Sequence, residues 1–441
     1  MKIRVKQSTI VKPAKETPRH SLWLSNIDLI QVRLHMGTLH FYKPLLSSNV
    51  VGTRFLKDAL SDILVPYYPA AGRLRRGENG RLEVHCNGEG VLFVEAETDS
   101  TVSDIGLHTP SLDLARLAPS VDYSGGISSY PLLLFQVTFF KCGAICMGAQ
   151  IHHTFGDGAS LVQLMEAWAQ TARGLRVKEL PFLDRNVLRA RDPPSPMFPH
   201  TEYQPPPFQI PTLKSSIYRS APETESMIAT LRLTPLQLNA LRTKVDGSDG
   251  QYSLYEILVA HIWRCACFSE LKEKEHVTRL HIILDGRTRL EPKLPKGYVG
   301  NVLFHARPAV LSSDLRGERF GKTAERIRGE IRKMRNDYLR SAIDYLENHP
   351  NLEELVPGEG NPIFGGSNLC VVGLSRHVKY GLDFGWGRKL YTRASHMNEG
   401  KGFVMEGEEE DGSLVVMMCL KKRHMVKFEK LFYESLPVAA L

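Results

Sequence analysis

The chain has 441 residues, enough for two domains of ordinary size or one large one. Its 42% hydrophobic and 24% charged residues suit a globular protein, and no apolar run approaches the roughly 18 residues of a membrane-spanning helix. A net charge of +8, spread along the chain with no recognition motif beside it, argues against nucleic acid and fits a polyanionic small molecule.

The first residues, Met1-Lys2-Ile3-Arg4-Val5-Lys6, alternate like a strand. They lack the apolar core and cleavage site of a secretory signal, so a cytoplasmic protein is expected. Residues 38–42 read as a strand, and 51–64 as an amphipathic helix ended by Pro66. Residues 81–86 and 90–96 flank Asn87-Gly88-Glu89 like the arms of a hairpin. Residues 132–140 and 144–152 form a second such pair around Lys141-Cys142-Gly143. Helical spacing of Leu161, Leu164, Met165 and Trp168 predicts a helix over 159–173.

Residues 192–212 hold eight prolines, from Pro193 to Pro211, and read as a stiff, extended linker. The domain crossover is placed there. Strand and helix signals then begin again, with strands over 228–233, 279–284 and 368–375 and helices over 234–244 and 252–267. A single long, charge-rich helix is predicted over 321–348, and the acidic run 406–411 reads as a hairpin tip. Sheet with interspersed helices in both halves gives an α/β (α+β) fold of two similar sheet-plus-helix domains. The division is 1–185, a linker over 186–214, and 215–441, with a segment near 370–400 expected to pack with the first domain. Seven scattered cysteines do not make a disulfide framework. Cys142-x-x-x-Cys146 and Cys265-x-Cys267 find no partners at zinc spacing, so reduced thiols and no metal are expected.

Two motifs carry chemistry. His152-His153-Thr154-Phe155-Gly156-Asp157-Gly158 puts histidine at the end of a strand and before a sharp turn. Imidazole takes up and returns a proton near neutral pH. Alternation sends His152 and His153 to opposite faces, so only one can meet a shared cavity. Asp157 either orients the imidazole or pairs with a buried arginine and braces the turn; the brace is the favoured reading. Asp383-Phe384-Gly385-Trp386-Gly387 lies about 230 residues downstream. The chain holds no Gly-x-Ser-x-Gly elbow, no cysteine in a catalytic setting, and no phosphate-binding or dinucleotide fingerprint. Direct attack by a bound acceptor is the simplest scheme, with no covalent intermediate and no cofactor.

His153 to Gly158 and Asp383 to Gly387 resemble the two signatures of the plant BAHD acyltransferases. Tyr68-Pro69-Ala70-Ala71-Gly72-Arg73, Asp285-Gly286-Arg287-Thr288-Arg289 and Leu294 to Asn301 agree with that resemblance, which spans essentially the whole chain. Residues 188–194 and 202–207 are similar to the hydroxycinnamoyl-CoA transferases that use shikimate, quinate or related hydroxy acids. The resemblance implies two domains, a channel between them, acyl-CoA at one mouth and the acceptor at the other. It makes His153 the base that deprotonates the acceptor hydroxyl, with acyl-CoA as co-substrate and a monomer as the working form. Asp383 is catalytic by motif, but a turn with an aromatic plug suggests a structural part, paired with Arg287. Arg376 stands where such relatives grip the acceptor carboxylate, a task suited to a guanidinium fork. His35, Met36, Thr38, His40, Thr392 and Arg393 are assigned to the acceptor side. Tyr252, Ser253, Arg287 and Arg289 fall where relatives hold acyl-CoA.

Departures from the clade pattern at Met36 and His40 reshape the pocket, and Lys379, Lys389, Arg393 and His396 either make the acceptor side more basic or are solvated surface. Quinate or shikimate is the expected acceptor, and these changes raise a dicarboxylic hydroxy acid (tartrate, malate or an aldarate) as the alternative. Transfer to an amine, giving an amide, is the other alternative.

Overall fold

The computed structural model describes residues 1–43, 53–105, 112–203, 226–245, 252–270, 275–357, 368–374, 382–387, 389–407 and 411–437. In chain order the first half runs β1 (Ile3–Val11), β2 (Ser21–Trp23), α1 (Asn26–Leu29), β3 (His35–Tyr42), α2 (Arg54–Ile63), β4 (Arg73–Arg76), β5 (Leu82–His85), β6 (Val91–Thr98), α3 (Val102–Ile105), β7 (Leu133–Phe140), β8 (Ile145–His152) and α4 (Gly158–Ala172). The second runs β9 (Ser226–Leu233), α5 (Pro235–Thr243), α6 (Leu254–Ser269), β10 (Val277–Asp285), β11 (Leu303–Ala306), β12 (Ala309–Leu311), α7 (Ser312–Gly317), α8 (Phe320–Lys333), α9 (Asn336–Glu347), β13 (Asn368–Gly373), β14 (Lys389–Ala394), β15 (Lys401–Glu406), β16 (Leu414–Lys421) and α10 (Lys422–Glu434). Among the described residues no helix is long and apolar enough to cross a membrane.

Two large sheets organise the molecule, each with its own apolar core, in the two-domain α/β arrangement expected. The first has the order β1-β6-β7-β8-β3-β14, and the second β11-β10-β13-β15-β16-β9 with β12 also on β10. The last strand of the first sheet, β14, comes from the second half of the chain and pairs antiparallel with β3. α2 and α4 cover the first sheet. Asp157 caps α4, its carboxylate accepting from Ser160 N. Leu161, Leu164 and Met165 are then buried, each contributing roughly 2 kcal/mol. Trp168 donates to Leu56 O at 2.9 Å and packs against Phe93 and Phe135.

The Asp383–Gly387 segment plugs this same core. Phe384 meets Trp168 edge-on at 4.8 Å, and Trp386 meets Tyr42 at 5.1 Å. Gly385 and Gly387 have φ of 92° and 79°, a region that disfavours side chains.

Two expected elements differ. Residues 81–96 are not a hairpin: β5 pairs with β2 and β4 in a small three-stranded sheet, and β6 with β1 and β7. Gly90 lets the chain pass from one sheet to the other, since a Cβ there would sit 2.4 Å from Val11 O. The long helix over 321–348 is two, α8 and α9, broken at Met334. The Arg289 guanidinium donates to Met334 O at 3.0 Å and satisfies a backbone acceptor at the break. The described part of the Pro-rich stretch lies along α9, where Asp344 accepts from Arg191 Nε at 2.6 Å and from Ser195 N at 2.9 Å. Residues 204–214 of the expected linker lie outside the described residues.

Candidate active site

A cavity of about 350 Å³ lies between the two halves. Gln31, Met36, Thr38 and His153 line it from the first, and Arg279, His281, His305 and Lys401 from the second. Its position follows from the end of β8. His152 and His153 point to opposite sides there, as strand alternation requires. His152 is fully buried between His35, at 5.1 Å between ring centroids, and Tyr130, at 5.6 Å. His153 turns into the cavity, held at its backbone N–H by Leu34 O at 2.9 Å.

The proton on His153 is placed by Asn301. The Asn301 side-chain amide donates to His153 O at 2.8 Å and to Asp28 Oδ1 at 2.9 Å. Both of those atoms are acceptors, so the carboxamide oxygen must face the ring. It lies 3.1 Å from His153 Nδ1, which therefore carries the hydrogen. Nε2 keeps its lone pair and is the nitrogen left to accept a proton. Asp28 is itself buried, paired with Arg185 at 2.9 Å and accepting from Ser25 N and Oγ. Burial pushes the His153 pKa below 6.5, and Lys401 adds to the shift against weaker opposition from Asp157 and Asn301. That direction favours the neutral ring.

Asp157 does not reach this imidazole's ring hydrogen. It forms a two-pronged ion pair with Arg287, Nη1 to Oδ2 at 2.8 Å and Nη2 to Oδ1 at 2.9 Å. Burial alone would raise its pKa, but Arg287 and the backbone donors outweigh that and hold it below the ordinary value. Arg287 also donates to Gly300 O at 2.9 Å. The pair ties the turn after His153 to the loop that carries Asn301.

That arrangement corrects one expectation. Arg287 pairs with Asp157 and Asp285, not with Asp383. Asp383 instead accepts from Gly385 N at 2.8 Å and Gly387 N at 2.9 Å, and lies 3.3 Å from Arg173. It caps its own turn and does not line the cavity.

The other assigned residues divide. Thr38 and Met36 line the cavity, as does His396. Thr38 Oγ1 is 2.8 Å from His40 Nε2, and His40 Nδ1 is 3.1 Å from Thr392 Oγ1. His40 and Thr392 thus stand behind Thr38, and burial, with Lys389, lowers the His40 pKa to about 3. His35 faces away, its ring bound to Tyr123 OH at 2.9 Å and Pro131 O at 2.8 Å. Arg393 lies opposite Leu39 in register, buried behind the sheet and off the cavity. Ser253 caps α6 and binds Glu256, and the Tyr252 ring packs under Arg328. Neither lines the cavity, and Arg289 serves the α8–α9 break. Arg376 and Lys379 lie outside the described residues.

Sequence reasoning passed over Asn301, Asp28 and the second-half wall. The wall had a signal: Arg279 and His281 alternate with Leu280 and Ile282 on β10, polar to one face and apolar to the other. Asn301 ends a stretch that the resemblance marks, but one asparagine in a turn has no period, and nothing there assigns it a role.

A profile of the Transferase family matches residues 1–435. The tobacco (Nicotiana tabacum) shikimate O-hydroxycinnamoyltransferase is 44% identical over 438 residues, covering 98% of this chain and all of the relative. An oat (Avena sativa) hydroxycinnamoyl-CoA:5-hydroxyanthranilate N-hydroxycinnamoyltransferase is 40% identical over 444 residues, covering 98% of this chain and 99% of the relative. The crystal structure of vinorine synthase superposes with a TM-score of 0.75 at 21% identity, covering 99% of this chain and 98% of that one, a likeness of fold.

Proposed function

The chain belongs to the Transferase family, the BAHD acyltransferases, and we propose that it esterifies a hydroxyl of a carboxylic hydroxy acid with His153 as general base. It is an acyl-CoA-dependent acyltransferase, and hydroxycinnamoyl transfer is the chemistry of its whole-length relatives. The observation that carries the finer reading is the His153 ring in the cavity, with Asn301 Oδ1 3.1 Å from its Nδ1 and its Nε2 left to accept.

In this reading Nε2 takes the proton from the acceptor hydroxyl as its oxygen attacks the thioester carbon. A tetrahedral oxyanion forms, then collapses with cleavage of the carbon–sulfur bond. The imidazolium returns its proton to the departing thiolate, and the ring is neutral again. Holding both substrates in line supplies much of the acceleration. Thr38 offers a hydroxyl on the acceptor side, positioned from behind by His40 and Thr392. Arg376 remains the residue assigned to the acceptor carboxylate. Asp157 and Arg287 keep the turn in place, and Arg287, which lines the cavity, stays assigned to acyl-CoA as well. The chain is taken as domains 1–185 and 215–441 with a crossover between them, a reading supported by the two separate cores. A monomer in the cytosol completes the proposal.

The oat relative acts on an amine, so an amine acceptor is the competing outcome. The assay is p-coumaroyl-CoA with shikimate, quinate, dicarboxylic hydroxy acids and 5-hydroxyanthranilate, the product mass being read. The proposal expects an ester of a hydroxy acid. Amide formation alone would overturn the O-acylation reading.

A further inference from the structure

One face of the second sheet is the far wall of the cavity. The register places Arg279 beside Asn368 and His281 beside Cys370, and Cys370 beside Lys401. His281, Cys370 and Lys401 therefore form a row across three strands, with side chains on one face. His305 lies opposite Ile283 on the next strand, on the same face. The intervening residues Leu280, Ile282, Leu369 and Val371 turn the other way, into the apolar core. Two strand spacings put His281 and Lys401 roughly 10 Å apart at the backbone. Between them stands the short Cys370 side chain, so the row has a recess at its centre.

The recess is cationic and enclosed. Lys401 is partly buried, and its ammonium meets the Phe403 ring at 5.3 Å. Among the described residues no carboxylate forms an ion pair with Lys401 or Arg279. Four acids among the described residues line this cavity, and each has another partner: Asp157 and Asp285 bind Arg287, Glu202 binds His200 at 2.9 Å and Tyr338 at 2.8 Å, and Glu354 accepts from Asn351 at 3.2 Å. Holding a cation out of water without a partner is unfavourable, and an anionic ligand would offset that cost.

We propose that this wall is a carboxylate subsite, in which Lys401 and Arg279 supply charge and His281 a neutral donor, and that the acceptor is a dicarboxylic hydroxy acid. The assignment of the carboxylate to the acceptor rests on the reading above, because a hydroxycinnamoyl group carries none.

The test compares the full-length wild type with Lys401→Met, Arg279→Met and Lys401→Arg. Each is assayed with p-coumaroyl-CoA and matched monocarboxylic (quinate) and dicarboxylic (malate, tartrate, an aldarate) acceptors. The wild type should favour a diacid. Lys401→Met should lower the diacid-to-monoacid ratio of kcat/KM by about thirtyfold or more, through KM, and Lys401→Arg should restore most of it. An unchanged ratio, or an equal fall in kcat for both acceptors, would overturn the subsite. Malonyl-CoA used as donor by the wild type and lost in Lys401→Met would move the carboxylate to the acyl side and overturn the acceptor assignment. Calorimetric titration of the same diacids without donor separates the two claims. Diacid binding lost in Lys401→Met supports the wall even where no hydroxy acid is acylated, and no diacid binding to the wild type refutes it.

Discussion

Replacing Asn301 with alanine tests how the base is kept in its working form. The substitution removes the acceptor 3.1 Å from His153 Nδ1 and the donor 2.8 Å from His153 O. A neutral hydrogen bond of this kind contributes about 1 kcal/mol net, roughly a factor of five in tautomer population. The ring is also freed to rotate, and a displacement of about 1 Å from attack geometry costs on the order of a hundredfold. Together these predict a fall in kcat of about ten- to a hundredfold, with KM for either substrate nearly unchanged. Asp28 Oδ1 loses one donor but keeps the Asn301 backbone N–H at 2.8 Å. The protein should therefore fold, less stable by about 1–3 kcal/mol. Thiol release from p-coumaroyl-CoA follows turnover, and a circular-dichroism melt reports folding. A folded Asn301→Ala variant with kcat within about twofold of the wild type would refute the positioning argument, since the ring's release from attack geometry should by itself cost more than that.

Other consequences follow from the same geometry. The His153 pKa lies below 6.5 and the neutral ring is the base, so kcat/KM should be full above that pH and fall only on further acidification. Lys401→Met removes a cation that lowers this pKa, so the acid limb should move upward; a limb left in place would separate Lys401 from the imidazole. Arg287→Ala leaves the Asp157 carboxylate buried without its pair and should cost about 3–5 kcal/mol in a urea melt. An unchanged melt with a raised KM for acyl-CoA would give Arg287 a substrate-binding part and no bracing one. Asp383→Ala removes the acceptor of two glycine N–H groups, and should cost about 1–2 kcal/mol while kcat stays within about threefold. A drop of two orders of magnitude in a folded protein would put Asp383 in the chemistry instead.

Much of the near side of the site was legible before any coordinates. Strand alternation alone divided His152 from His153, because a period of two leaves one side chain for each face. The Gly-Asp-Gly turn marked Asp157 as a brace, but its partner was not readable. Arg287 sits 130 residues away, and which acid meets it depends on how the two halves dock. Arg287 and Arg289 look alike in sequence, yet one clamps the catalytic turn and the other ends a helix. The break at Met334 was hidden because the charged pattern runs through it unbroken. For the far wall, alternation on β10 was visible, while the choice of cavity or solvent for its polar face was not. That choice is made by packing between domains, which has no local period.

The most direct measurement is the turnover of His153→Ala with p-coumaroyl-CoA and the best acceptor from the panel. A general base of this kind accounts for on the order of 10² to 10⁴ in rate, so kcat should fall by that much in a protein that still melts cooperatively. Turnover within about threefold of the wild type would contradict the account, because the remaining cavity residues would then suffice without the imidazole.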